Sequence, residues 1–226
     1  MTTYFHQEET YQTRGAQGYT VFYQRHMNGG GPHFAPVFPR ILKDLFPNRR
    51  FPSCMEWCSG PGFIGYEILD HKICDRLDLV DIHRPIQEYI EKTNNHNNIA
   101  NKVSLTFSSQ ISNLSPNKKF DLIVSNPPHF KNYPEFAVDV GGNPDSAVDQ
   151  NSYRIAVDPD WQIHCEFFNN IHRHLNPGGV IILLEQSLSG SMTDLVPLFE
   201  HKFNHQIITE PYDTHKYFYL VLTLKE

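Results

Sequence analysis

Asp121-Leu122-Ile123-Val124-Ser125-Asn126-Pro127-Pro128-His129-Phe130 is the stretch around which the rest of the chain orders itself. Its apolar run, with β-branched members, reads as a buried strand over Leu122 to Ser125. Asn126-Pro127-Pro128 stops that strand, because proline has no ladder N–H and restricts the residue before it. The strand therefore ends in a stiff polar turn. Open α/β sheets bind their ligands at the carboxyl ends of central strands, so this turn is the expected site of chemistry.

Upstream, the spacing predicts a strand over Cys54 to Cys58, the loop Ser59-Gly60-Pro61-Gly62-Phe63-Ile64-Gly65, and a helix running through Leu69. Leu77 to Val80 reads as a second strand ending in Asp81. Pro85 to Lys92 reads as a helix ended by the Asn-rich run from Asn94, and Val103 to Phe107 as a third strand. Downstream come a helix from Trp161 to Leu175, a strand from Val180 to Leu184, a helix from Met192 to Phe199, and a closing pair of strands at Gln206 to Thr209 and Tyr217 to Leu224. Alternating strands and helices imply a parallel sheet covered on both faces, and the closing pair has no room for a helical crossover. The expected fold is therefore α/β: a Rossmann-like, seven-stranded, mostly parallel sheet with helices on both faces and a terminal antiparallel strand pair.

Two segments stand outside this rhythm. Residues 1–32 are polar and aromatic without a clean period and read as an N-terminal arm, a substrate-recognition extension to a domain over 33–226. Within that domain His33 to Phe46 has helical spacing, with Pro36 and Pro39 in its first turns. Residues 131–160, including Gly141-Gly142-Asn143-Pro144, also lack strong periodicity, and a loop this long reads as a lid-like insertion.

The 226 residues suffice for one sizeable α/β domain with an extension, and 39% hydrophobic with 19% charged residues implies a folded core. A formal net charge of −6 is a poor footprint for gripping many phosphates, and the Arg49-Arg50 and Lys118-Lys119 pairs read as solvated surface. The 4 cysteines include no Cys-x-x-Cys, and the 13 histidines form no tight cluster, so no metal site is expected. No apolar leader follows Met1 and no run approaches the roughly 18 apolar residues of a membrane span. The expectation is a cytoplasmic protein without membrane attachment.

Gly60-x-Gly62-x-x-Gly65, followed by Asp81 at the end of the next strand, has the form of a dinucleotide fingerprint, which serves any adenosine-containing cofactor. Glu56 argues against the nicotinamide version. A carboxylate inside the first strand suits a cationic amino group, where a dinucleotide-binding strand is ordinarily apolar.

Glu56 to Gly65, Leu79-Val80-Asp81 and Asp121 to Phe130, in this order, resemble the class I S-adenosylmethionine-dependent methyltransferases, in particular the "methyltransferase small domain" group with its Asn-Pro-Pro-aromatic motif. That group includes HemK-like glutamine methyltransferases and RNA amino methyltransferases. The resemblance spans roughly His33 to Glu226. It implies S-adenosylmethionine as cofactor and S-adenosylhomocysteine as product. Glu56, Cys58, Gly60, Gly62, Asp81, Ser109 and Asn126 fall on cofactor-binding positions, and Asn126, Pro127, Pro128 and His129 on the catalytic turn. Cys58 replaces the usual first glycine of the loop, Ser109 stands where an adenine-side aspartate is common, and His129 replaces the usual Tyr or Phe that stacks on the acceptor, a role open to Phe130. The implied reaction is N-methylation of an amino or amide nitrogen. The acidic balance favours a protein side chain or small molecule as acceptor over nucleic acid. The alternatives are an RNA nucleobase amino methyltransferase, a non-catalytic cofactor-binding module and, more distantly, a nicotinamide-dependent oxidoreductase.

Overall fold

From Phe51 onward, apolar strands and helices alternate as expected in the computed structural model, which describes residues 7–139, 150–187, 192–209 and 216–225. The chain divides into two units, residues 1–109 with 120–125 and residues 110–119 with 126–226.

In the first unit, β1 (Glu8–Gln12) and β2 (Thr20–Gln24) form an antiparallel ribbon. They are followed by a one-turn α1 (Gly31–Phe34), α2 (Val37–Leu45), β3 (Phe51–Trp57), α3 (Phe63–Asp70), β4 (Cys74–Asp81), α4 (Gln87–His96), β5 (Val103–Phe107) and β6 (Phe120–Ser125). β3 pairs in parallel with both β4 and β6, and β4 with β5. Trp57 stands opposite Val80 on one side and Ser125 on the other, so the carboxyl ends of three strands are level. Leu122, Ile123 and Val124 are fully buried, as a parallel strand covered on both faces requires. Each such side chain contributes roughly 1.5–3 kcal/mol of burial.

Several features of this unit differ from the expectation, and β3 and β4 begin earlier, at Phe51 and Cys74. α2 starts at Val37 with Pro36 before it, since two prolines are tolerated only in the first turn. α4 runs through the Asn-rich segment to His96, because Asn94 is buried and accepts the Tyr66 hydroxyl at 2.8 Å. The arm contains an ordered ribbon, held by carboxylates of α3. Glu67 accepts the Arg14 N–H at 3.0 Å and the Tyr11 hydroxyl, while Asp70 accepts the N–H groups of Gln17 at 2.7 Å and Gly18 at 3.1 Å. Thr93 and Asn97 receive the N–H groups of Phe22 and Thr20, each at 3.0 Å.

In the second unit, α5 (Tyr133–Asp139), α6 (Gln150–Ala156) and α7 (Gln162–Asn170) precede β7 (Leu175–Gln186), α8 (Met192–Phe199), β8 (Phe203–Ile208) and β9 (Tyr217–Leu224). β7 and β8 both pair antiparallel with β9. The helix expected from Trp161 to Leu175 is shorter: Asp160 and Trp161 have φ of 51° and 59°, and Leu175 already belongs to β7. The lid-like segment carries helices at both ends, and its Gly141-Gly142-Asn143-Pro144 lies outside the described residues. The seven-stranded sheet has the order β5-β4-β3-β6-β7-β9-β8, so the expected fold class is the one observed.

Candidate active site

At the end of β3 the backbone turns through left-handed conformations, with φ of 51° at Cys58, 49° at Gly60 and 90° at Gly62. Cys58 thus holds the conformation that a glycine takes freely, at the cost an L-residue bears there. A side chain at Gly62 would press on Tyr66 at 2.9 Å and Leu79 at 3.0 Å, whereas at Gly60 the nearest atom is 3.9 Å away. The loop is therefore tightly packed on its inner side and open at Gly60, the arrangement that lets a ligand approach the backbone. Asp81, half-buried at the end of β4, accepts the Gly60 N–H and the His83 N–H, each at 2.7 Å, so its carboxylate is aimed at the loop. Ser109 is exposed, two residues beyond Phe107, the partner of Asp81 across the β4–β5 ladder.

Glu56 is buried in β3 and caps α3, accepting the Gly65 N–H at 2.7 Å and the Ile64 N–H at 3.3 Å. Burial pushes its pKa up to about 8 against the pull of those two N–H groups, and the Asp81 charge adds to the rise. A loop with two left-handed glycines, an open backbone at Gly60 and acidic groups at both strand ends fits a cofactor with ribose hydroxyls and a cationic amino acid moiety.

β6 ends at Ser125, whose hydroxyl donates to the Trp57 carbonyl at 2.5 Å, and the Asn126 turn leaves from there. Pro127 and Pro128 are buried and Asn126 is half-buried. His129 Nε2 donates to Asn126 Oδ1 at 2.8 Å, and its ring meets Tyr217 edge-on at 5.8 Å. Phe130 does not take the stacking role. It is buried against Ala156 and Val157, its ring packs on Phe136 at 5.4 Å, and its N–H and C=O bond Ala156 and Asp158.

Behind His129 lies a polar cluster that sequence reasoning missed. Glu185 Oε2 is 3.7 Å from His129 Nδ1, and Glu185 Oε1 is 3.2 Å from His164 Nε2. His164 Nδ1 donates to Asp158 Oδ2 at 2.6 Å. Burial alone would depress the His164 pKa, but Glu185 and Asp158 outweigh it and raise it to about 9. The same imidazolium, with His129, lowers the pKa of the buried Glu185 despite its desolvation. In sequence Glu185, at the end of its strand, could face the site, but an ordinary strand-end carboxylate looks the same.

The predicted residues thus fall into two groups within their units. Glu56, Cys58, Gly60, Gly62 and Asp81 surround one loop, with Ser109 beyond the strand next to Asp81, and Asn126 to His129 form one hydrogen-bonded turn.

The family model "Methyltransferase small domain" matches residues 39–141. Among curated proteins, none matches the sequence significantly. Among solved structures, the chain is similar to the T. thermophilus 16S rRNA N2 G1207 methyltransferase RsmC in complex with AdoMet and guanosine, with a TM-score of 0.66 at 18% identity, over 97% of this chain and 50% of that one. It is also similar to the M. jannaschii tRNA m1G37 methyltransferase, with a TM-score of 0.56 at 13% identity, over 97% of this chain and 57% of that one. A third is the ribosomal protein L11 methylase of Lactobacillus delbrueckii subsp. bulgaricus, with a TM-score of 0.58 at 16% identity, over 86% and 80%. This chain spans about half the length of the two RNA enzymes. The expected preference for a small-molecule or protein acceptor over nucleic acid is corrected by these likenesses, which include rRNA and tRNA methyltransferases. Net charge misled because it averages over the whole surface and says nothing of any local site. Among the described residues, no helix is long and apolar enough to cross a membrane. The glycine loop, the acidic residue after β4 and the Asn126 turn all lie within residues 39–141, the segment that matches the methyltransferase small domain, and the chain around them has the fold of the S-adenosylmethionine-dependent methyltransferases.

Proposed function

We propose that this methyltransferase acts on an exocyclic amino nitrogen of a nucleobase in RNA. The observation that carries the reading is the turn itself: Asn126, half-buried, with its side-chain oxygen held at 2.8 Å by His129, at the carboxyl end of β6. The sulfonium cofactor supplies an electrophilic methyl group.

A nucleobase amino group is conjugated to its ring, so its lone pair is delocalised. Asn126 Oδ1 and the Pro127 carbonyl accept its two N–H bonds, turn the lone pair toward the methyl, and meet the positive charge that builds on nitrogen. The proline pair keeps these two acceptors fixed, so no reorganisation accompanies the reaction. Glu56, Gly60, Gly62, Asp81 and Ser109 serve the cofactor. Asp81 accepts ribose hydroxyls with the lone pairs its two N–H partners leave over. A base displaced from its stack needs only local contacts with a pocket, which an acidic protein can supply. The similarity to an enzyme named for N2 of a guanosine in rRNA and solved with guanosine supports this class of acceptor. Residues 1–32 and 131–160 are the proposed acceptor-recognition segments.

The test is transfer of tritiated methyl from S-adenosylmethionine to unmodified tRNA and rRNA transcripts, followed by nucleoside analysis. The expected product is an N-methylated amino nucleoside, lost in Asn126→Ala while S-adenosylhomocysteine binding persists. Methylation of a ring nitrogen, a carbon or a ribose, or full activity in Asn126→Ala, would refute the reading.

A further inference from the structure

Apart from His129, the cluster behind the turn is assigned no role in the proposed binding of cofactor or transfer of methyl. Its members come from four separate places: His129 from the turn, Asp158 just beyond the short bridge between Phe130 and Val157, His164 from α7 and Glu185 from β7. His164, Asp158 and Glu185 are completely buried. Ionised groups in such a place cost several kcal/mol each in desolvation, and apolar side chains of the same volume often leave a fold as stable or more so. Packing alone therefore gives little reason for them.

Their polar contacts form a chain that ends at the turn, in which each imidazole lies between two acceptors. Asp158 is immobilised at the start of α7, where its two oxygens accept the N–H groups of Ile163 at 2.8 Å and His164 at 3.0 Å. Asp158 Oδ2 also takes the His164 Nδ1 proton at 2.6 Å, and His164 Nε2 faces Glu185 Oε1 at 3.2 Å. Carboxylates only accept, so both ring nitrogens of His164 carry hydrogen and Glu185 is held between the two imidazoles. Its second oxygen faces His129 Nδ1 at 3.7 Å, and His129 Nε2 donates to Asn126 Oδ1 at 2.8 Å.

We propose that Asp158, His164 and Glu185 are positioning residues that hold His129 between two acceptors, with hydrogen on both of its ring nitrogens, so that Nε2–H donates to Asn126 and fixes which end of the Asn126 amide meets the amino group of the acceptor. This rests on the reading of Asn126 as the residue that holds that amino group. An unsupported asparagine amide can turn over and present its NH2 to an N–H that needs an acceptor. With Nε2–H of His129 in place, the turned-over amide would oppose donor to donor. The carbonyl oxygen has two lone pairs, so it can take the His129 N–H and an acceptor N–H together. His129 thus replaces stacking by a hydrogen bond at this position, and Tyr217, edge-on to its ring, contributes the aromatic surface.

The first arm of the test uses the wild-type protein saturated with S-adenosylhomocysteine and nitrogen-15 imidazole spectra at pH 7.5. His164 and His129 are each expected to carry hydrogen on both nitrogens. A neutral His164 or a neutral His129 overturns the proposal. In the second arm, Glu185→Leu is expected to lower kcat with an accepting RNA by about tenfold or more, with KM for S-adenosylmethionine changed less than about twofold. Glu185→Gln, which keeps a polar group between the two imidazoles, is expected to recover most of it. Unchanged kcat in Glu185→Leu, or a loss as large in Glu185→Gln, counts against positioning. If no RNA accepts a methyl group, the RNA assignment falls by itself, because the spectra of the first arm involve no acceptor.

Discussion

Replacing His164 by Gln should remove a specific pH dependence from the stability of the protein. His164 is fully buried between Asp158 at 2.6 Å and Glu185 at 3.2 Å, with Trp161 and Phe168 rings against it, and its pKa is raised from 6.5 to about 9. A histidine whose folded pKa lies above its unfolded value binds its proton more tightly in the folded state. Its contribution is complete below about pH 6.5, declines as the unfolded chain loses the proton first, and is gone above about pH 9. At about 1.4 kcal/mol per pH unit, the decline amounts to roughly 3 kcal/mol. Urea unfolding of wild type and of His164→Gln combined with Glu185→Gln, so that no uncompensated buried carboxylate titrates in its place, at half-unit steps from pH 6 to 10 isolates the decline. Wild type should lose roughly 3 kcal/mol more than the variant over this range. Parallel stability curves would show that His164 is not held as an imidazolium, and the reasoning about the cluster would fail with it.

Asp81→Ala removes the carboxylate that orients the Gly60 and His83 N–H groups and is proposed to meet the ribose, so calorimetry should find S-adenosylhomocysteine bound about tenfold or more weakly. Unchanged affinity would sink that assignment. Gly62→Ala must place a Cβ 2.9 Å from Tyr66 at a φ of 90°, and should cost about 1–3 kcal/mol in denaturant unfolding, whereas a neutral result would mean that the loop relaxes. Asp70→Ala strands the N–H groups of Gln17 and Gly18 and the Thr13 hydroxyl, and should speed hydrogen exchange over residues 13–24 well before it affects β3 to β6. Uniform exchange across the first unit would show that the ribbon and the strands open together.

The proposed site could be read from sequence where its residues are close together and their types are forced by backbone chemistry. Gly60 and Gly62 take left-handed turns that open the loop, Asp81 follows the next strand, and Asn126-Pro127-Pro128 cannot continue a ladder. The N-terminal ribbon was not legible, because its strands are five residues each and show little of the alternation that marks a strand. What holds it are Glu67 and Asp70, acidic residues of a helix that ordinarily read as a solvated face but here are fully buried beneath backbone donors.

By itself the sequence determined the alternation of strands and helices from β3 to β6 and from α7 to β9, the glycine loop proposed for the cofactor with its acidic neighbours, and the proline-stiffened turn, since each depends on short-range periodicity or on the restricted backbone of glycine and proline. Only the tertiary structure decided what surrounds that turn. It buried Phe130 in a local core, set His129 on Asn126, and joined Glu185, His164 and Asp158 behind it. Those four ionisable residues span 129 to 185 without a period, and their partnership exists only because burial removes water as an alternative partner for each.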